Sequence, residues 1–154
     1  MITRVLFVCH GNICRSPMAE FVFKDMVAKS GLAEDVYVAS AATSTEEIGN
    51  GMHSGTIKIL KKYDIPYENR KAVQLKKSDY EKYDYIVGMD SANIANIKRI
   101  VGDDKQKKVF KLLEFAGISD DIADPWYTGK FDITYDDICE GCEALLVEIM
   151  SRVE

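Results

Sequence analysis

The chain of 154 residues suits one domain, and its apolar share of 47% with a charged share of 29% excludes a disordered tail. Its net charge of −5 argues against a nucleic-acid binder, which usually carries a basic excess. No apolar run approaches the roughly 18 residues of a membrane span, and 4 cysteines are too few for a disulfide scaffold. A cytoplasmic protein with free thiols is therefore expected.

Short apolar runs that suit buried strands alternate with stretches that suit helices. The predicted strands are Val5–Val8, Val36–Ser40, Tyr85–Met89 and Val109–Leu113. The predicted helices begin at Pro17 behind a Ser16 N-cap and stop at Gly31, cover His53–Tyr63, run from a cap at Asp90 or Ser91 to Gly102, and begin again at Thr134.

Residues 114–131 are polar and contain two glycines and a proline, so they are predicted to form a loop of functional length. Strands that alternate with helices imply a parallel sheet with right-handed crossovers. We therefore expect a single α/β domain over residues 1–154, with a central four-stranded parallel sheet, helices on both faces and a ligand-binding loop after the first strand.

That loop is CHGNICRS, from Cys9 to Ser16. In open α/β sheets, ligands bind beyond the carboxyl ends of the strands. Gly11 is free to adopt a positive φ, so that the backbone can curl and point several N–H groups toward one position, and the following helix adds the positive end of its dipole. Arg15 adds a planar guanidinium that suits two oxygens of a phosphate. The loop therefore predicts a phosphate-binding site.

The same positive groups favour the thiolate form of cysteine, which is its nucleophilic form. A thiolate at Cys9 would attack phosphorus in line, and water would then hydrolyse the thiophosphate ester. Arg15 and the loop amides would stabilise the charge on the phosphate oxygens, so the reaction requires no metal or cofactor. Burial as a small apolar side chain is the alternative for Cys9, and Arg15 and the glycine loop argue against it.

The string VCHGNICRSPMAE resembles the signature of the low-molecular-weight protein tyrosine phosphatases. SAATS at 40–44, YIVGMD at 85–90 and DPWY at 124–127 extend the resemblance over nearly the whole chain. The resemblance implies hydrolysis of phosphotyrosine in proteins or peptides, and of small aryl phosphates, through a cysteinyl-phosphate intermediate. Inorganic phosphate would be both the product and a competitive ligand.

From this resemblance, Cys9 is the nucleophile and Arg15 the phosphate clamp, while Asp124 is the general acid that protonates the departing tyrosine oxygen and later activates water. Without the resemblance, Asp120 and Asp121 would compete for the acid role. The residues assigned to the phosphate loop and its support are His10, Gly11, Asn12, Ile13, Cys14, Ser16 and Ser40. Ser16 would also help the thiolate to leave. Trp126, Tyr127 and Glu46 are assigned to the wall of the substrate pocket.

Two stretches depart from the family pattern. Glu46 and Glu47 stand where many relatives have an aromatic residue at the pocket entrance, so we expect the rim to disfavour acidic phosphopeptides. Arg70 lies where the family tends to have a histidine that supports the phosphate loop. The sequence leaves open whether Arg70 replaces that histidine or is simply exposed.

The other cysteines have two interpretations each. Cys14 either packs inward or captures an oxidised Cys9 as a disulfide, as the resemblance implies. Cys139 and Cys142 form a Cys-x2-Cys pair, but two ligands without a second pair make a poor zinc site. Their spacing places them on one face of a helix, which favours core packing.

Three other functions are considered. Arsenate reductase on the same fold needs two further cysteines in a mobile segment, and residues 60–100 contain none. Phosphoarginine phosphatases carry a threonine immediately before the second cysteine of the loop, where this chain has Ile13, and an apolar group suits a tyrosyl ring better. A cysteine phosphocarrier would not need Arg15 together with a general acid that protonates a departing phenol. Phosphotyrosine hydrolysis is therefore the favoured function.

Overall fold

The computed structural model describes residues 1–153, which fold around one sheet. The strands are β1 (Thr3–Cys9), β2 (Val36–Ala42), β3 (Tyr85–Gly88) and β4 (Val109–Lys111). The helices are α1 (Arg15–Lys29), α2 (Ser54–Lys62), α3 (Asp79–Lys82), α4 (Ser91–Val101), α5 (Pro125–Thr128) and α6 (Phe131–Val153), with a 3₁₀ helix at Leu112–Ala116. Within residues 1–153, no helix is long and apolar enough to cross a membrane.

The sheet has the strand order β2-β1-β3-β4, and all of its strands are parallel. Val5 of β1 pairs with Val38 of β2 on one side and with Tyr85 of β3 on the other. Because β1 is central, the loop that follows Cys9 lies between the carboxyl ends of β2 and β3. The predicted fold class, a four-stranded parallel sheet within one α/β domain, is confirmed.

Alternate residues of β1 enter two different cores, as the two-residue period of a strand requires. Val5 and Phe7 pack with α1, α2 and α6, and the Phe7 ring meets Phe23 edge to face at 5.6 Å. Leu6 and Val8 pack with α3 and α4 on the opposite face. Helices thus cover both faces, which fixes β1 and the loop at its end.

The start of α1, next to the loop after β1, differs from the prediction. Helix α1 begins at Arg15 rather than Pro17, and its N-cap residue Cys14 makes no side-chain capping bond. Ser16 is therefore not the N-cap, because its hydroxyl contacts Cys9 instead. The predicted capping role of Asp90 is confirmed, since its carboxylate accepts a hydrogen bond from the Asn93 N–H at 2.7 Å.

Other boundaries shift by a few residues. Strand β2 continues to Ala42, whereas β4 ends at Lys111 and gives way to the 3₁₀ helix. The segment predicted as a loop over 114–131 contains the end of that helix and all of α5, and α6 begins at Phe131 rather than Thr134. Asp124 and Pro125 are the local cause of α5, because the carboxylate caps the turn and proline occupies its first position.

Candidate active site

Residues 10–14 connect β1 to α1, and with Cys9 and Arg15 at either end they surround one pocket at the carboxyl edge of the sheet, which all of them except Asn12 line. The backbone N–H groups of residues 11–15 have no hydrogen-bond partner among the described residues. Buried or half-buried N–H groups are normally paired, so a loop that leaves a run of them unpaired is suited to accept an anion. The start of α1 adds the positive end of a helix dipole at the same place.

Cys9 lies at the base of this loop and is 3% exposed. Its Sγ atom lies 3.0 Å from Ser16 Oγ and accepts a hydrogen bond from the Ser16 N–H at 3.4 Å. Both contacts come from the first turn of α1. They place the sulfur beneath the unpaired N–H groups of the loop.

Asn12 determines which way the Ser16 hydroxyl points. The Asn12 Nδ2 group donates to Ser16 Oγ at 2.7 Å and to Ser40 Oγ at 2.9 Å, which uses both of its hydrogens. Ser40 donates its own hydrogen to the buried Glu20 carboxylate at 2.6 Å. The Ser16 hydroxyl, whose oxygen already accepts from Asn12, is thereby free to donate its hydrogen to the Cys9 sulfur.

Arg70 holds Asn12 in an uncommon conformation. The residue of the loop with a positive φ is Asn12, at 58° in the left-handed region and fully buried, and not Gly11 as the sequence suggested. The Arg70 guanidinium donates to the Asn12 carbonyl oxygen at 2.8 Å and also to Asn12 Oδ1, which accepts the Val73 N–H at 3.2 Å as well. Burial lowers the pKa of Arg70, and the charges of Glu20 and Cys9 oppose that shift. Arg70 is thus bonded to the loop, which decides the question that its sequence position left open.

The Arg15 side chain is 3% exposed, and both donors of its Nη1 atom are already bonded. Its Nη1 atom donates to Asp90 Oδ2 at 2.6 Å and to the Ile122 carbonyl at 2.9 Å, whereas its Nε has no partner among the described residues. Burial alone would lower the pKa of Arg15, but the Cys9 charge and the bond to Asp90 raise it above its usual value. The group is a fixed cation whose buried Nε donor is available to a ligand.

Asp124 lines the same pocket from the N-terminus of α5. One carboxylate oxygen accepts the Trp126 N–H at 3.0 Å, and the other lies 3.5 Å from Arg15 Nη2. The two competing acids are placed elsewhere, since neither Asp120 nor Asp121 lines the pocket. Asp121 accepts from Lys111 Nζ at 3.0 Å, a bond that lowers the pKa of this carboxyl.

The pocket has a volume of about 100 Å³. Its exposed wall is aromatic, because Trp126 and Tyr127 are 55% and 83% exposed. Glu46 pairs with His10 at 3.1 Å on the rim. The residues that line the pocket are Cys9, His10, Gly11, Ile13, Cys14, Arg15, Glu46, Glu47, Asp124, Trp126 and Tyr127.

The structure therefore brings together every residue that the sequence assigned to nucleophile, clamp, acid and wall. Of the support residues, Asn12, Ser16 and Ser40 form the bonded layer beneath the loop rather than its lining. No group of three or more His, Cys, Asp or Glu side chains within residues 1–153 is placed to hold a metal ion.

The remaining cysteines are free thiols in different settings. Cys14 lines the pocket, and burial together with the Cys9 charge raises its pKa to about 12. Cys142 is fully buried in the core, and Cys139 packs against that core with its pKa raised by burial. Core packing of the Cys-x2-Cys pair agrees with the interpretation favoured by the sequence.

Two charged residues, Asp90 and Glu20, have roles in the site that the sequence did not predict. Asp90 was predicted only as a helix cap, yet its second oxygen holds Arg15. Its position at the end of the strand next to β1 was a usable signal, because neighbouring parallel strands end at the same edge. Glu20 was not singled out, although it lies four residues after Ser16 and so on the same helix face.

Comparison with known proteins gives one consistent result. Residues 4–154 match the sequence profile of the family described as low molecular weight phosphotyrosine protein phosphatase. The chain is 42% identical to the low molecular weight protein-tyrosine-phosphatase YfkJ of Bacillus subtilis over 96% of each chain. It is 40% identical to PtpA of Staphylococcus epidermidis, a protein of the same description, over 92% of this chain and 90% of that one.

Solved structures agree with the sequence matches. The crystal structure of YfkJ superposes with a TM-score of 0.96 at 39% identity and covers 100% of this chain and 98% of the other. The crystal structure of a drosophila arginine phosphatase, DARP, superposes with a TM-score of 0.83 at 29% identity, over 94% of this chain and 96% of the other.

Proposed function

The chain belongs to the low molecular weight phosphotyrosine protein phosphatases and is therefore a phosphatase, and we propose that it hydrolyses phosphotyrosine in proteins through a cysteinyl-phosphate on Cys9. One observation carries this proposal. Cys9, the buried Arg15 guanidinium and Asp124 line one small pocket whose loop N–H groups have no partner within residues 1–153.

The substrate phosphate would bind in the loop, where its oxygens accept hydrogen bonds from the unpaired N–H groups and from Arg15 Nε. The Cys9 thiolate then attacks phosphorus, and the sulfur–phosphorus bond forms as the bond to the tyrosine oxygen breaks. The phosphate oxygens stay bound to the same fixed donors throughout, which stabilises the transition state without reorganisation. The Ser16 hydroxyl, hydrogen-bonded to the sulfur, stabilises the thiolate when it is released again.

Asp124 would act twice in this sequence. It protonates the departing tyrosine oxygen, and as a carboxylate it then accepts a proton from the water that hydrolyses the cysteinyl-phosphate, which releases inorganic phosphate. Its place across the pocket from the loop and 3.5 Å from Arg15 supports this assignment. The chemistry is complete with protein groups and requires no metal or cofactor.

Ile13, Trp126 and Tyr127 support an aromatic substrate. Ile13 is 9% exposed and lines the pocket, so its apolar side chain can contact a ring bound there. The two exposed aromatic side chains can flank the same ring. A bound phosphoarginine would place its charged guanidinium against these apolar groups. A drosophila relative on this fold is nevertheless described as an arginine phosphatase, so phosphoarginine is the rival substrate to test.

The test is the hydrolysis of a phosphotyrosine peptide and of two aryl phosphates whose phenols differ in acidity. Cys9→Ser should abolish turnover. Asp124→Asn should lower kcat about 10²- to 10⁴-fold for the less acidic phenol, and less for the more acidic one, because an acidic phenol needs little protonation to leave.

Asp120→Asn is the matched control, since it removes a carboxylate from the same segment but outside the pocket, and it should retain full activity. An equal loss for both phenols in Asp124→Asn would contradict the role of Asp124 as the acid. Release of phosphate from phosphoarginine but not from phosphotyrosine would contradict the substrate class. Phosphorylation of Cys9 without release of phosphate would indicate a phosphocarrier.

A further inference from the structure

A second groove lies beside the pocket, between α2 and the first turn of α6. We call it the lysine groove. Its volume is about 650 Å³, and the residues that matter here are His53, Lys58, Lys62, Lys130, Phe131 and Asp132. Neither the sequence pattern nor the proposed reaction assigns it a role.

The lysine groove has an excess of positive charge. Lys62 is paired with Asp132 at 2.9 Å, but within residues 1–153 Lys58 and Lys130 have no carboxylate at ion-pair distance. Both are exposed, so their ammonium groups are available to a ligand. The protein as a whole is acidic, with a net charge of −5, and the groove therefore stands out against its surroundings.

His53 joins the groove to the pocket. Its ring meets Trp126, part of the pocket wall, edge to face at 5.5 Å, and it stacks on Phe131 in the groove at 5.1 Å. A Cβ on Gly55 would lie 2.4 Å from the Phe131 ring, so only glycine allows this close packing on α2. Because His53 lines the groove and contacts Trp126, the groove begins directly beside the pocket wall, within reach of the residues next to a phosphotyrosine in an extended peptide.

A different part of the pocket rim has the opposite charge. Glu46 and Glu47 line it, and the His10 contact with Glu46 is exposed. A bound peptide would meet carboxylates where it passes Glu46 and Glu47, and ammonium groups where it enters the lysine groove. Such an arrangement selects both the composition and the direction of a bound chain.

We propose that the lysine groove binds carboxylate side chains of the protein substrate, located a few residues from the phosphotyrosine on one side of it. This inference rests on the proposed function and names its preferred substrate class. It refines the expectation from Glu46 and Glu47, because acidic residues are disfavoured on the rim side only. Lys58 and Lys130 contact the substrate carboxylates, whereas the phosphate and the tyrosyl ring occupy the pocket.

The test compares three phosphotyrosine peptides that are otherwise alike. One has glutamates at the second to fourth positions before the phosphotyrosine, one has them after it, and one has alanines at all of these positions. We expect kcat/KM at low salt to be about fivefold higher for one acidic peptide than for the alanine peptide, the size that two exposed ion pairs produce. The advantage should shrink as salt is added.

The double variant Lys58→Ala/Lys130→Ala should lose this advantage while its kcat/KM for an aryl phosphate stays unchanged. Lys76→Ala/Lys77→Ala is the matched control, because it removes the same charge from exposed lysines that do not line the groove, and it should keep the preference. Binding of the same peptides to Cys9→Ser, with and without the lysine substitutions, measures the preference independently of turnover.

No preference for either acidic peptide, or a preference that Lys58→Ala/Lys130→Ala leaves intact, would overturn the proposal. A preference for free phosphate or for nucleic acid in the groove, without one for the peptides, would overturn it as well. If the wild type cleaves none of the peptides, the phosphotyrosine function fails, and the binding comparison still decides whether the groove recognises carboxylates.

Discussion

Replacement of Arg70 by methionine removes two hydrogen bonds to Asn12 and retains a side chain of similar length. In the native protein the guanidinium bonds the Asn12 carbonyl at 2.8 Å and also Oδ1. Asn12 in turn positions Ser16 and Ser40, and its φ of 58° lies in the left-handed region, which is uncommon for residues other than glycine and which asparagine adopts more readily than most. The substitution therefore tests one support of the whole loop.

The expected loss follows from these contacts. A hydrogen bond from an ionised donor contributes about 1.5–3 kcal/mol. Since Asn12 Oδ1 keeps the Val73 N–H, we expect the loss to be close to that of one such bond, about 2–3 kcal/mol. A loss of that size in transition-state binding corresponds to a fall in kcat/KM of about 30- to 140-fold, because about 1.4 kcal/mol is a factor of ten.

Three measurements decide whether Arg70 supports the loop through its hydrogen bonds or only through packing. These are kcat/KM on an aryl phosphate, the Kd for inorganic phosphate, and the free energy of unfolding in urea. Arg70→Lys, which keeps the charge but not the two-pronged geometry, should lie between wild type and Arg70→Met. Lys71→Met, an exposed neighbour, is the control and should match wild type. An Arg70→Met protein with kcat/KM and phosphate Kd within twofold of wild type would refute the reasoning.

Three further predictions concern the pocket and its charges. Asp90→Asn leaves the buried Arg15 guanidinium without its hydrogen-bonded carboxylate and only the looser contact with Asp124, so the free energy of unfolding should fall by about 3 kcal/mol. Saturating phosphate should restore part of this loss, and urea unfolding with and without phosphate measures it; equal losses in both would count against the charge argument. Ile13→Thr should lower kcat/KM for phosphotyrosine relative to phosphoarginine by about tenfold, as a polar group replaces an apolar contact; an unchanged ratio of the two rates would remove Ile13 from specificity. The raised pKa of Cys14, about 12 in the folded protein against 9.0 as the reference, contributes stability that is complete below pH 9 and is lost as the pH rises toward 12. Unfolding measured at pH 8 and 10.5 should therefore show a steeper loss in wild type than in Cys14→Ala, and parallel curves would contradict this assignment.

The loop illustrates what local sequence determines. Cys9, Gly11 and Arg15 lie within seven residues, so strand end, turn and helix start bring them together whatever the rest of the chain does. The alternation of apolar runs with amphipathic stretches likewise determines the parallel α/β class. Even here the start of α1 was misplaced, because the usual signal of a serine before a proline was overridden by the bonds of Ser16 to Asn12 and Cys9.

Contacts between distant residues depended on the strand order, which periodicity does not determine. Because β1 lies between β2 and β3, the loops after these strands converge, and Asp90 and Ser40 reach the site from neighbouring strand ends. The position of Asp124 could be expected only from the family resemblance, since nothing local relates it to Cys9. The support from Arg70 and the lysine groove required the folded chain, because each combines side chains from segments that only tertiary packing brings together.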